Sequence, residues 1–204
     1  MSDQNRIGTN SDGVADATER NLVSGNGIGV ILFGSHQNTI AGNYVGTDLT
    51  GTTNTGTVAG DLGNSTGVWL LSSALNTVGG MATGAGNLVS GNTYYGIQLQ
   101  GNNNPNDSGA DANVVQGNLV GTDASGTIGI SNGGYGIYVN SNRNLIGGSA
   151  AAARNVVAAS GNVVGGDGIA VFGYSNAIQG NYIGTDITGT QALGNTGFCK
   201  LPTR

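Results

Sequence analysis

The chain of 204 residues carries 40 glycines, 26 asparagines, six basic and eleven acidic side chains, giving a formal charge of −5 and a pI near 4.4. So much glycine excludes a helical bundle, because each glycine costs about 1 kcal/mol in a helix interior. A charged fraction of 8 % beside 37 % hydrophobic residues excludes disorder, and the scattered basic residues offer no stripe for nucleic-acid phosphates. What remains is a turn-dense β protein.

Three short patterns recur along the chain in fixed order. Asn-x-Ile/Val opens each cycle, Asn-apolar-Val/Ile follows, and Gly-Val/Ile-x-Leu/Val closes it. The first cycle runs through Asn5–Ile7, Asn21–Val23 and Val30–Leu32, and the second through Asn38–Ile40, Asn43–Val45 and Val68–Leu70. The third has Asn76–Val78, Asn87–Val89 and Ile97–Leu99; the fourth has Asn113–Val115, Asn118–Val120 and Ile137–Val139. The fifth has Asn144–Ile146, Asn155–Val157 and Ile169–Val171, and the sixth opens with Asn176–Ile178 and Asn181–Ile183.

Successive opening asparagines lie 33, 38, 37, 31 and 32 residues apart, and the insertions fall between patterns, never within them. A solenoid behaves this way, because its strands must stack while its loops bulge outward. Alternate apolar residues put one face of each short strand inside, and crossovers favour right-handed winding. The expected fold is an all-β, right-handed, three-sided parallel β-helix over residues 1–197, with two alternating coil types and no recognisable caps. Uncapped rungs would favour end-to-end or dimeric self-association. Residues 198–204, FCKLPTR, leave the pattern and read as a non-repeat tail, so the chain reads as a fragment of a longer repeat protein.

Asparagines recurring at equivalent corners would stack about 4.8 Å apart and hydrogen-bond in columns. Corner glycines and asparagines also fit the left-handed backbone that sharp turns need. Odd and even cycles differ: the even ones carry VGTDLTGT, VGTDASGT and IGTDITGT. Aligning them with the odd cycles gives a column of Asn26, Asp48, Asn92, Asp123, Asn162 and Asp186, in which each asparagine would separate two carboxylates and donate to them.

The motifs IGTD-x-TGT, GN-x-x-G[VI]-x-L and RN[LV][VI]SGN resemble the parallel β-helix repeat modules of large secreted bacterial surface proteins and, more distantly, the pectate-lyase-like superfamily. The likeness spans about residues 5–197. It implies an extracellular or cell-surface parent protein, although this chain shows no signal peptide and no apolar run long enough to span a membrane. The superfamily includes lyases, hydrolases and adhesins, so fold alone chooses no activity.

Four sets of residues carry candidate chemistry. Asp48, Asp123 and Asp186 are candidates for carboxylate catalysis or calcium, weighed against structural turns that any repeat would reproduce. Asp167, in VGGDGIAV, resembles one copy of a glycine-aspartate calcium repeat. On the outer face of the third strand, Trp69, Gln98 and Tyr138 follow in one column, with Tyr94, Tyr95 and Tyr135 just ahead. Trp69 and Tyr138 two coils apart, about 10 Å, would suit alternate sugar rings. Cys199 is the lone cysteine and His36 the lone histidine; five coils separate them, roughly 24 Å, too far for a dyad within one chain, though a head-to-tail dimer would bring them together. Leu22, Tyr44, Leu88, Leu119, Val156 and Tyr182 form a further column, expected to pack beneath the GTD loops.

Because no unique set of acid, base and nucleophile stands apart from the repeat, the sequence favours a non-catalytic structural or binding module with a polysaccharide or cell-surface glycan as partner. A carbohydrate-active lyase or hydrolase is the alternative, and a cysteine-dependent hydrolase centred on Cys199 the second. Calcium is the one cofactor the aspartates suggest.

Overall fold

In the computed structural model, the described residues are 3–14, 16–56, 60–101, 111–161 and 166–197. Cys199, Asn162 and the tail 198–204 lie outside them. Three sheets, all parallel, run the length of the molecule. Sheet A stacks Arg6–Gly8, Thr39–Ala41, Thr77–Gly79, Val114–Gln116, Leu145–Gly147 and Ala177–Gln179. Sheet B stacks the two-residue strands Leu22–Val23, Tyr44–Val45, Leu88–Val89, Leu119–Val120, Val156–Val157 and Tyr182–Ile183. Sheet C holds the longer strands Ile28–Phe33, Thr66–Leu71, Tyr95–Gln100, Ile137–Asn140 and Ile169–Val171. Each of the first five coils contributes one strand to each side in turn, and the sixth one each to sheets A and B among the described residues, which makes a three-sided right-handed β-helix. Among the described residues, the one helical segment is a 3-10 turn, Ala151–Ala153.

The core is the set of columns the repeat implies. Ile40, Val78, Val115 and Ile146 line it from sheet A, and Val45, Val89, Val120 and Val157 from sheet B, all fully buried. Sheet C supplies two columns, Val30 to Ile169 and Leu32 to Val171. Ile7, Val23, Ile178 and Ile183, on the first and last coils, are partly buried against this core.

The glycine of the third pattern has a steric cause. A β-carbon on Gly67 would lie 2.6 Å from Val89 Cγ1, on Gly96 2.8 Å from Val120 Cγ1, and on Gly136 2.5 Å from Val157 Cγ1. At this corner two successive residues face inward, and only the second has room for a side chain. The core of sheet B therefore dictates glycine at the start of sheet C.

Two asparagine ladders run beside sheets A and B as expected. In the first, Asn5, Asn38, Asn76, Asn113, Asn144 and Asn176 pass hydrogen bonds from coil to coil, each Oδ1 accepting both the backbone N–H and the Nδ2–H of the asparagine before it. The second links Asn21, Asn43, Asn87, Asn118, Asn155 and Asn181 identically. Asn118 shows why these amides can be buried: Oδ1 accepts twice from Asn87, and Nδ2 donates to Asn155 Oδ1 and to Val78 O. Both lone pairs and both protons are used.

The left-handed backbone falls on corner glycines as the sequence implied, Gly42, Gly117 and Gly180 among them, but not on the asparagines. Among the described residues no asparagine has positive φ; the residue just before each first-ladder asparagine does. Gln4, Gln37, Leu75, Ala112, Arg143 and Ser175 have φ between 55 and 62° there. Apart from the terminal Ser175, their N–H groups bond to the next coil, as Leu75 N does to Asp111 O. The inter-coil bond holds a conformation that costs a non-glycine residue about 1–2 kcal/mol.

Candidate functional site

The two coil types differ in where they carry long loops. Odd coils expand at the corner between sheets A and B, as in 9–14 with 16–20, 80–86 and 148–154; even coils expand at the corner between B and C, in the GTD loops. Loops of like coils then meet across the coil between them: Ala124 N donates to Gly51 O at 2.8 Å, and Ile187 N to Gly126 O at 2.9 Å. The outer face of sheet B thus lies between two rows of loops.

The mixed Asn/Asp column does not form. The third ladder runs Asn26, Asn64, Asn92 and Asn132. In the fifth coil Ser160 takes the place, its N–H donating to Asn195 Oδ1 at 2.9 Å. Even coils reach the ladder only after the GTD loop has left and returned, so Asp48, Asp123 and Asp186 stand outside the stack, away from its amides. The signal that finds the true members is an asparagine three or four residues ahead of the third-pattern glycine, as in Asn64 to Gly67 and Asn132 to Gly136.

Each GTD aspartate caps its own loop. Asp123 Oδ1 accepts from Thr127 N at 2.9 Å and Ile128 N at 3.0 Å, and Oδ2 from Ser125 Oγ at 2.6 Å. Asp48 is held by Thr50, Thr52 and Thr53, and Asp186 by Thr188, Thr190 and Gln191. Desolvation raises each carboxyl's pKa, but the hydroxyl and amide donors outweigh it, so all three sit below the ordinary aspartate value. A general acid at neutral pH needs the opposite shift. Among the described residues no three His, Cys, Asp or Glu side chains converge to hold a metal.

On sheet C the predicted outer column is in register: Ile31, Trp69, Gln98, Tyr138 and Ala170 pair in succession. The aromatic continuity, however, runs through Tyr138 rather than from Trp69 to Tyr138. Tyr138 lies 5.4 Å from Tyr95, 5.4 Å from Tyr135 and 5.3 Å from Phe172 between ring centres, and Tyr95 and Tyr135 stack at 5.7 Å. Burial, then the neighbouring Tyr95 and Tyr135, push the Tyr138 phenol up. Phe172, half exposed, is the member that sequence reading missed; strand alternation two residues beyond Ala170 would have found it. Trp69 is half-buried, and its Nε1 is enclosed without a hydrogen-bond partner among the described residues. Gln98 is buried and donates to Gln100 Oε1, while Tyr94 is exposed outside the ring cluster.

Asp167 is fully buried and takes the next place after Tyr95 and Tyr135 at the head of sheet C; its backbone carbonyl accepts from Gly136 N. His36 Nδ1 accepts from Ala74 N at 3.0 Å, a link between neighbouring coils. The candidate nucleophile Cys199 lies outside the described residues.

Fold and surface together define the molecule as a three-sided right-handed parallel β-helix with laddered asparagines, alternating loops and an aromatic outer strip. No protein-family model, curated protein or solved structure matches this chain.

Proposed function

We propose that this chain is a non-catalytic, glycan-binding β-helix module of a secreted or surface repeat protein, distantly akin to the pectate-lyase-like superfamily. The observation that carries the reading is the aromatic strip of Tyr95, Tyr135, Tyr138 and Phe172, which crosses three coils on one outer face. Such rings offer an apolar plane and, in tyrosine, a polar tip, the combination that packs a sugar's C–H face while bonding its hydroxyls. Against catalysis stand the three GTD carboxylates, occupied by their own loops and held below the usual aspartate range. The reading needs no calcium: a chelator should leave binding and unfolding midpoint unchanged.

The test is a polysaccharide retention and cleavage panel on the wild type and on Tyr138→Ala. Retention weakened tenfold or more by the substitution, with no reducing ends or unsaturated products released, supports the module. Product release by the wild type that vanishes in Asp123→Asn overturns it in favour of the hydrolytic alternative. Product release that thiol alkylation stops would point instead to Cys199.

A further inference from the structure

The outer column of sheet B is only partly covered by loops. Gly51 packs on Tyr44 and Leu88 and Gly189 on Tyr182, so tightly that no β-carbon would fit at Gly51. Between these places a cavity of about 380 Å³ opens on Leu88, Leu119 and Val156. Its walls are the odd-coil loops, with Gly86 and Ala151, and the even-coil loops, with Ala124 and Ile187. That volume falls within the range of small-molecule sites.

The cavity has a definite origin in the repeat. In coils one and two the Arg20 guanidinium lies 3.8 Å from the Tyr44 ring centre, and Nε donates to Gly42 O. In coils five and six Arg154 lies 3.9 Å from the Tyr182 ring centre, and Nε donates to Gly180 O. The middle unit lacks this pair: Gly86 stands at the arginine position and Leu119 at the tyrosine position. The gap is fixed by the backbone, since a β-carbon on Gly86 would lie 2.0 Å from Gly117 O. The cavity is the space of one missing Arg–Tyr pair, with an intact pair at each end.

Its electrostatics are lopsided. Arg20 and Arg154 both line it, and neither takes part in a salt bridge among the described residues, where the one ion pair joins Arg143 to Asp111. Among the described residues, no acidic side chain lines the cavity. Asp16, beside Gly84 at the rim, accepts from Thr9 Oγ1 and Gly13 N. Two cations therefore flank an aliphatic floor in a chain of charge −5. Each guanidinium keeps terminal N–H groups that suit the fork geometry of an acid group.

We infer that this cavity binds a small amphiphilic anion, an apolar body bearing a carboxylate or similar acid group. The body lies on Leu88, Leu119 and Val156, and the acid group pairs with Arg20 or Arg154. The site is separate from the aromatic strip and independent of the glycan reading.

The test is calorimetric titration with octanoate and with its uncharged analogue octanamide. Octanoate should bind one per chain, at least tenfold tighter than octanamide, and the Arg20→Gln/Arg154→Gln double variant should remove that difference. Leu119→Tyr, which restores the residue of the flanking units, should abolish binding of both probes. Ala151→Trp, on the exposed rim, should do the same without touching the coil stack. Tyr138→Ala should leave octanoate binding unchanged. Absence of octanoate binding, equal binding of acid and amide, or indifference to both Leu119→Tyr and Ala151→Trp overturns the inference.

Discussion

Asn113 and Asp123 belong to the same coil and are both buried, yet their partners come from different distances along the chain. The side chain of Asn113 bonds to Asn76, Ser73 and Asn144, all 31 to 40 residues away. That of Asp123 bonds to Ser125, Thr127 and Ile128, within five residues. The ladder amide is satisfied only when the neighbouring coils are in place, whereas the loop carboxylate is satisfied by its own turn. One side chain reports on stacking and the other on local loop closure.

Substitutions that separate the two should differ in size and reach. Asn113→Ala removes the acceptor for both Asn76 donors inside the core and should lower stability by about 3 kcal/mol or more, read from the denaturant midpoint. A loss below about 1 kcal/mol would mean that water can replace a ladder rung. Gly96→Ala comes next: its β-carbon would meet Gly136 O at 2.6 Å and Val120 Cγ1 at 2.8 Å. Overpacking of this kind costs about 1–3 kcal/mol, while Gly27→Ala, with open space around it, should avoid that steric loss.

Asp123→Ala should cost about 1 kcal/mol, as loss of a capping acceptor does. Its effect should stay local, with faster amide exchange at Thr127 and Ile128 and none at the Asn113 rung. Because the folded pKa of this carboxyl is lowered, its contribution is complete above the unfolded value of about 3.9. It is lost as pH falls through the lower folded value. The wild-type loop should therefore loosen only in acid below about pH 4, a dependence that Asp123→Ala lacks. The smallest change is expected at Leu75, exposed and at φ 59°. Leu75→Gly relieves the left-handed strain but gains freedom when unfolded, for a net stabilisation of about 0.5 kcal/mol. A net loss would show that the inter-coil bond from Leu75 N depends on the leucine side chain.

The inward columns and two of the three ladders were legible because a solenoid repeats its constraints: every coil must present the same residue type at the same point. Asn76 and Asn87 announce themselves by recurring beside apolar pairs. Asn64, Asn132 and Asn195 did not, because a GTD loop precedes them and moves them away from the motif that would mark them. In the fifth coil the ladder residue changes to Ser160, so the pattern itself breaks. The aromatic column was readable from strand alternation, which also reaches Phe172, but the ring contacts of Tyr138 with Tyr95, Tyr135 and Phe172 were not, because they depend on packing between coils.

The sequence by itself determined the shape: three strands per coil, the apolar columns, the asparagine rungs and the two coil types. It could do so because each is a local pattern multiplied by stacking. The tertiary structure alone decided what those patterns do at the surface. It turned the GTD aspartates onto their own loops, and it gave the third-pattern glycine its reason, since the core of sheet B leaves no room there for a β-carbon. By setting Gly86 against Gly117 O and Leu119 between the two rows of loops, it also opened a cavity where the sequence carries no Arg–Tyr pair. Such outcomes depend on distances between residues on different coils, and these exist only once the coils have stacked.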